Sequence, residues 1–146
     1  HAHAPCAVQC VINPLNSAGA IGYVSEAFNP QVILSECQQL DIPILAIRAV
    51  QAGALTSSMD RSPHESGFDK TDFDDFDKAA PFRDLAIEWG ESPASLAHRY
   101  ALSIKGVASV ILGVKNRTEL KECVEAEAKD PLSDSEIQQI ENCLRG

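Results

Sequence analysis

Two cations flank the start of a helix in a chain that is otherwise acidic. In VILGVKNRTELKEC (110–123), Asn116 is a good N-cap, and Glu119 three residues later completes a capping-box spacing. Leu120, Val124 and Ala128 then recur at helical spacing. The first helical N–H groups have no intrahelical partner, and the dipole there favours an anion. Lys115 and Arg117 oppose that dipole, so their presence needs a reason. A bound phosphate supplies one. Two solvated cations on a loop are the alternative, and on this stretch alone the two readings stand even.

Other chemistry-bearing residues are weaker candidates. Asp72, Asp74, Asp75 and Asp77 suggest calcium, but they lack the loop glycine and terminal glutamate of an EF-hand spacing, so a solvated lid is expected. His98, beside Arg99, has no partner at ligand spacing and reads as a satisfied surface or boundary histidine. His1 and His3 are a terminal pair and carry little. Cys123 has no local cue for a general base, which argues against a nucleophile. Tyr23 and Tyr100 lack an adjacent Lys or His signature, and there is no Ser-His-Asp order, GxGxxG or P-loop.

The elements that must position these residues follow from pattern. Val107 to Leu112 is a short apolar, β-branched run ended by Gly113, which suits a strand covered on both faces. Strands are also expected within CAVQCVINPLN (6–16), ending at Pro14, and over Ile42–Ile47. Asn29-Pro30 opens a helix to about Leu40 with Val32, Ile33 and Cys37 on one face. Residues 57–77 read as a long acidic, lid-like loop. Phe82, Leu85, Ala86 and Trp89 mark a helix ended by Gly90. Ser92-Pro93 opens another, with Leu96, Ala97, Tyr100 and Ala101 inward, and Ser133 with Glu136 caps a last one. Strand and helix alternate three times, which calls for an α/β fold with right-handed crossovers and a parallel sheet.

With 146 residues the chain suits one domain, 1–146, with a real core. A net charge of −9 argues against nucleic acid, whose phosphates need a basic face. No apolar stretch reaches the roughly 20 residues of a membrane span. Five unclustered cysteines (6, 10, 37, 123 and 143) read as reduced cytoplasmic thiols. There is no signal-peptide pattern. The opening HAHAPCAVQC carries no methionine, the only one being Met59, and the chain reads as the later part of something longer.

VQCVINPLN, PILAIRAVQAGALT and VILGVKNRTELKEC, in that order, resemble the sixth, seventh and eighth strand regions of the aldo-keto reductases. The spacer PFRDLAIEWGESPASLAHRYALSIKGVASVILG is similar to their helices before the last strand. The resemblance runs from about Ala7 to Leu144. It implies a partial (β/α)8 TIM barrel, three C-terminal βα units with extra helices and parallel strands, and NADP(H) bound across the strand ends.

The resemblance also implies site residues. Gln9 matches the glutamine that hydrogen-bonds the nicotinamide carboxamide. Ile47 falls where the family has a stacking aromatic, and Arg48 where it has a serine followed by Pro and Leu; here Ala49 and Val50 follow. That turn, through Ala52, runs along the pyrophosphate in the family, and an arginine there could pair with phosphate directly. Gly113 matches the close-approach glycine, and Lys115 the residue nearest the adenosine 2′-phosphate, with Arg117 close by. Glu119 and Cys123 replace the Gln and Asn that often hold adenine or ribose, whereas Glu122 keeps the family glutamate. A dianionic 2′-phosphate wants a cation, so the pattern favours NADP(H) over NAD(H).

The family's hydride transfer uses a tyrosine proton donor tuned by lysine, aspartate and often histidine from the first four strand regions. This chain shows no counterpart, and Tyr23 and Tyr100 match none of the motifs. The expectation is therefore the cofactor-binding portion of an NADP(H)-dependent reductase of small carbonyl substrates, inactive alone. A non-catalytic nucleotide- or partner-binding half-barrel, assembling as a homo-oligomer through exposed sheet edges, is the alternative.

Overall fold

The computed structural model describes residues 4–21 and 29–145. Three strands form one sheet: β1 (Val8–Val11), β2 (Ile44–Ile47) and β3 (Val107–Val110). They lie in chain order, and both pairings are parallel. Val8 stands opposite Ile44 and Val11 opposite Ile47, while the β2–β3 pairing slips between Ile44 and Leu45. The helices are α1 (Pro30–Gln39), α2 (Lys70–Lys78), α3 (Ala80–Glu88), α4 (Pro93–Ser103), α5 (Arg117–Glu127) and α6 (Asp134–Cys143). The α/β class and parallel sheet are those expected from the alternation of elements.

Local chemistry sets most helix ends. Asn29 caps α1, accepting from Gln31 N at 2.9 Å, with Pro30 at the first helical position. Ser92 caps α4, accepting from Ser95 N at 3.0 Å, and Ser133 with Glu136 forms the reciprocal capping box of α6. Helix α3 stops at Gly90, whose φ of +70° lets Glu91 N reach Ala86 O and Gly90 N reach Ile87 O.

Two clusters make the core. One packs Cys10, Ile12, Ile44 and Ala46 against Leu34 and Cys37 of α1 and Ala101 of α4. The other joins Phe82, Ala86, Leu96, Ala97, Tyr100 and Ile140 where α3, α4 and α6 meet. By the two-residue period, Gln9, Val11, Leu45 and Ile47 share the opposite face of the sheet. There Gln9 is exposed, and Leu45 and Ile47 are half-buried.

Several expectations change. The 57–77 segment is not a continuous solvated loop: α2 begins at Lys70, and Asp69, Asp72 and Asp75 are buried. Their burial is tolerated because each is satisfied: Asp69 by His64 N and Arg61, Asp72 by Arg48 and Arg61, and Asp75 by Ser17 and Gln51. The buried face of α1 is Pro30, Leu34 and Cys37; Val32 is exposed. Strand β3 is not covered on both faces: Val107 and Val110 are half-buried, and Ala108 and Ser109 are exposed. Ile111, Leu112 and Val114 beyond its end are exposed. The apolar positions Leu120 and Val124 of α5 also face outward, and Cys123 and Ala126 are its buried pair. Tyr23, His1 and His3 lie outside the described residues.

Candidate cofactor groove

The chain leaves β2 through a strained turn. Arg48, Gln51 and Ala52 have φ of 56°, 47° and 52°, a left-handed region that costs a non-glycine residue about 1–2 kcal/mol. Side chains hold it there. Arg48 Nε donates to Gln51 Oε1 at 2.7 Å and its Nη2 to Asp72 Oδ1 at 2.9 Å. Arg61 Nη1 donates to Ala52 O at 2.7 Å and its Nη2 to Asp72 Oδ2 at 2.9 Å. Gln51, fully buried, donates to Asp75 Oδ2 at 2.7 Å and Ser17 Oγ at 3.0 Å. Asn13 Nδ2, from the end of β1, donates to Arg48 O at 3.1 Å.

The opposite wall comes from the segment after β3. Asn116 caps α5, accepting from Glu119 N at 3.0 Å. The Glu119 carboxylate does not close a capping box: it accepts from Lys115 N at 2.7 Å and from Asn116 Nδ2 at 2.9 Å. One turn on, Glu122 accepts from the Ser92 hydroxyl, and Cys123 Sγ lies 3.1 Å from His98 Nε2. Burial pushes the Cys123 thiol up, with Glu122 and Glu119 adding to it. Burial likewise pushes His98 down, partly offset by Glu122. Both groups are therefore neutral near pH 7, an inert pair rather than an activated thiolate. His98 is buried, not the surface or boundary residue expected.

Between these walls lies a cavity of about 320 Å³ lined by Arg48, Ala49, Val50, Ala52, Gly113, Glu119, Glu122, Cys123 and His98. It runs into a second hollow that shares Val50, Ala52, Gly113, Glu119 and Glu122 and adds Lys115, Asp60 and Arg61. Nine of the expected residues thus meet on one groove. Gln9 and Ile47 stand apart on the open sheet face, and the exposed Arg117 lines neither hollow. Lys115 Nζ pairs with Asp60, both largely exposed, and its hydrogen bond holds the Asp60 carboxyl below its ordinary range. The roles of Asp60, Arg61, Asp72 and His98 are not revealed by sequence pattern, because the pairings Asp60–Lys115, Arg61–Asp72, Arg48–Asp72 and His98–Cys123 each span more than ten residues of chain. The one available signal was the Asp72–Asp75 spacing beside Phe73 and Phe76, a helical repeat.

Three parallel βα units with a groove at the carboxyl ends of their strands define a piece of a (β/α)8 barrel. The aldo/keto reductase family profile matches residues 2–145, and the chain belongs to that family. Among solved structures, the glycerol dehydrogenase AKR11B4 from Gluconobacter oxydans is similar in fold. Its TM-score is 0.68 at 20% identity, over 94% of this chain and 42% of that one. The chain therefore spans less than half the length of that relative. No curated protein matches the chain in sequence.

The groove fits a dinucleotide. Small residues (Ala49, Ala52, Ala94 and Gly113) line it, and a Cβ added at Gly113 would meet nothing within 4 Å, leaving room for close approach. Its two glutamates are held by protein donors, and the one lysine stands at its rim.

Proposed function

We propose that this chain is the dinucleotide-binding portion of an NADP(H)-dependent aldo-keto reductase that converts a small carbonyl compound to an alcohol. The observation that carries this reading is the meeting of the 48–52 turn and the 113–123 segment on one groove with Lys115 at its rim. Ala49, Val50 and Ala52 would hold the pyrophosphate, Lys115 the 2′-phosphate, and Glu119, Glu122 and Cys123 the adenosine. Gln9 and Ile47, on the sheet face, would hold the nicotinamide. Arg117 adds to the positive potential without lining the hollow.

The cofactor supplies hydride. What this chain supplies is binding and orientation. Tyr100 is not available as a proton donor: it is 2% exposed, its hydroxyl donates to Glu141 at 3.0 Å, and burial followed by Glu141 pushes its pKa far up. Proton donation is assigned to residues outside this chain, so the chain alone is not expected to turn over. Free thiols at all five cysteines support a cytoplasmic setting. The acidic balance supports small-molecule partners over nucleic acid.

The test is titration of the 146-residue chain with NADPH and NADH, before and after Lys115→Ala. NADPH affinity is expected to fall roughly tenfold or more, about 1.4 kcal/mol, with NADH unchanged. An equal loss for both cofactors removes the 2′-phosphate assignment.

One observation favours a second reading, a half-barrel module that assembles through its edges. Ile111, Leu112 and Val114 beyond β3 and Leu120 and Val124 of α5 are exposed, and among the described residues the outer edge of β3 is unpaired. A stable dimer in sedimentation that dissociates on Leu120→Glu would support it; a monomer at all concentrations would remove it.

A further inference from the structure

Asp72 joins two arginines that border the groove. Its Oδ1 accepts from Arg48 Nη2 at 2.9 Å and from Ala20 N at 3.0 Å, and its Oδ2 accepts from Arg61 Nη2 at 2.9 Å. The Asp72 side chain is 6% exposed. Arg48 lines one hollow of the groove and Arg61 the other. Asp69 adds a looser contact, 3.7 Å from Arg61 Nε. Arg48, expected to pair with phosphate, and Arg61 are thus both paired with buried acids of the chain itself.

The same guanidiniums pin the turn, Arg48 through Gln51 and Arg61 through Ala52 O. Gly19 shows how tightly this is built. A Cβ there would lie 2.0 Å from Asp72 Oδ1 and 2.6 Å from Arg48 Nη2.

Resting on the dinucleotide reading above, we propose that Asp72 is a positioning residue that sets the charge of the groove. It turns both guanidiniums toward the protein, fixes the left-handed turn, and leaves phosphate recognition to Lys115 and the backbone of the turn. An attraction between unit charges at contact is strong when partly buried, so neither arginine leaves Asp72 without an equal replacement.

The sign of the effect separates this role from a merely structural one. Asp72→Asn keeps the size and an acceptor for Ala20 N but removes the charge, so Arg48 loses its paired acid and Arg61 keeps only the looser contact with Asp69. NADPH and inorganic pyrophosphate are expected to bind the variant roughly tenfold more tightly at low salt, with the gain lost at high salt. Unchanged or weaker binding by a folded variant, checked by circular dichroism, overturns the proposal. A second measurement does not depend on that variant folding. In a Lys115→Ala, Arg117→Ala double variant, residual NADPH binding is not expected to weaken as salt rises, because no other cation meets the phosphates. A steep remaining salt dependence overturns the proposal by placing Arg48 or Arg61 on the ligand. If the unaltered chain binds neither NADPH nor pyrophosphate, the dinucleotide reading itself fails and takes the proposal with it.

Discussion

Cys123 Sγ lies 3.1 Å from His98 Nε2, tying α5 to α4 beneath the groove. His98 is harder to protonate in the fold than in the unfolded chain, because burial lowers its pKa. The unfolded state therefore binds more protons as the pH falls. The stability this histidine contributes is complete above the unfolded value of about 6.5 and is lost as the pH falls from there through the lower folded value. Urea midpoints at about pH 7.5 and about pH 5.5 check this. His98→Gln should lose less between the two pH values than the parent chain, and an equal loss in both would show that His98 does not carry the effect.

Asp60→Asn frees Lys115 from its ion pair. Both side chains are largely exposed, so the thermal midpoint should not move. NADPH affinity should rise severalfold at low salt and NADH affinity should not, because the released ammonium meets the extra phosphate. A gain shared by both cofactors would mean that Asp60 obstructs the groove rather than competing for the lysine.

Gly19→Ala inserts a methyl group where Asp72, Gln51 and Arg48 already converge, at a backbone φ of +55°. The backbone term alone costs about 1–2 kcal/mol. Displacing a buried carboxylate from its guanidinium adds to that. Denaturant unfolding should show a loss above the backbone term, together with faster proteolysis near Arg48 and Arg61. A loss of only a few tenths would mean that the 16–21 segment moves away at little cost.

Phe82 is fully buried at the meeting of α3, α4 and α6. Phe82→Ala should cost about 3–5 kcal/mol in urea unfolding, a large share of a domain's typical stability. NADPH affinity of the fraction that remains folded should be unchanged, because no residue of α3 lines the groove.

Where a neighbour lay close in the chain, the sequence was legible. Asn29, Ser92, Asn116 and Ser133 each cap the expected helix, because a cap is a contact over two or three residues. Alternation of strand and helix fixed the parallel sheet for the same reason. The acidic segment misled, since the arginines that make Asp72 tolerable in the interior are Arg48 and Arg61, which no local period reveals. Leu120 and Val124 misled differently: their spacing marks an apolar face correctly but says nothing about what covers it. The groove residues came from a resemblance, and their meeting depends on two segments about sixty residues apart closing on one another.

The side-by-side order β1-β2-β3 has a bearing on synthesis at the ribosome. Each strand emerges after the neighbour it will pair with, so the sheet can extend by accretion in the direction of translation. Ile44 and Ala46 are wholly buried in a cluster that includes Ala101 of α4, which is made more than fifty residues later. Until then the nascent β1–β2 pair, covered only in part by α1, presents apolar surface and the open edge of β2, the condition in which a trailing chain is most exposed to chaperones and to misassembly.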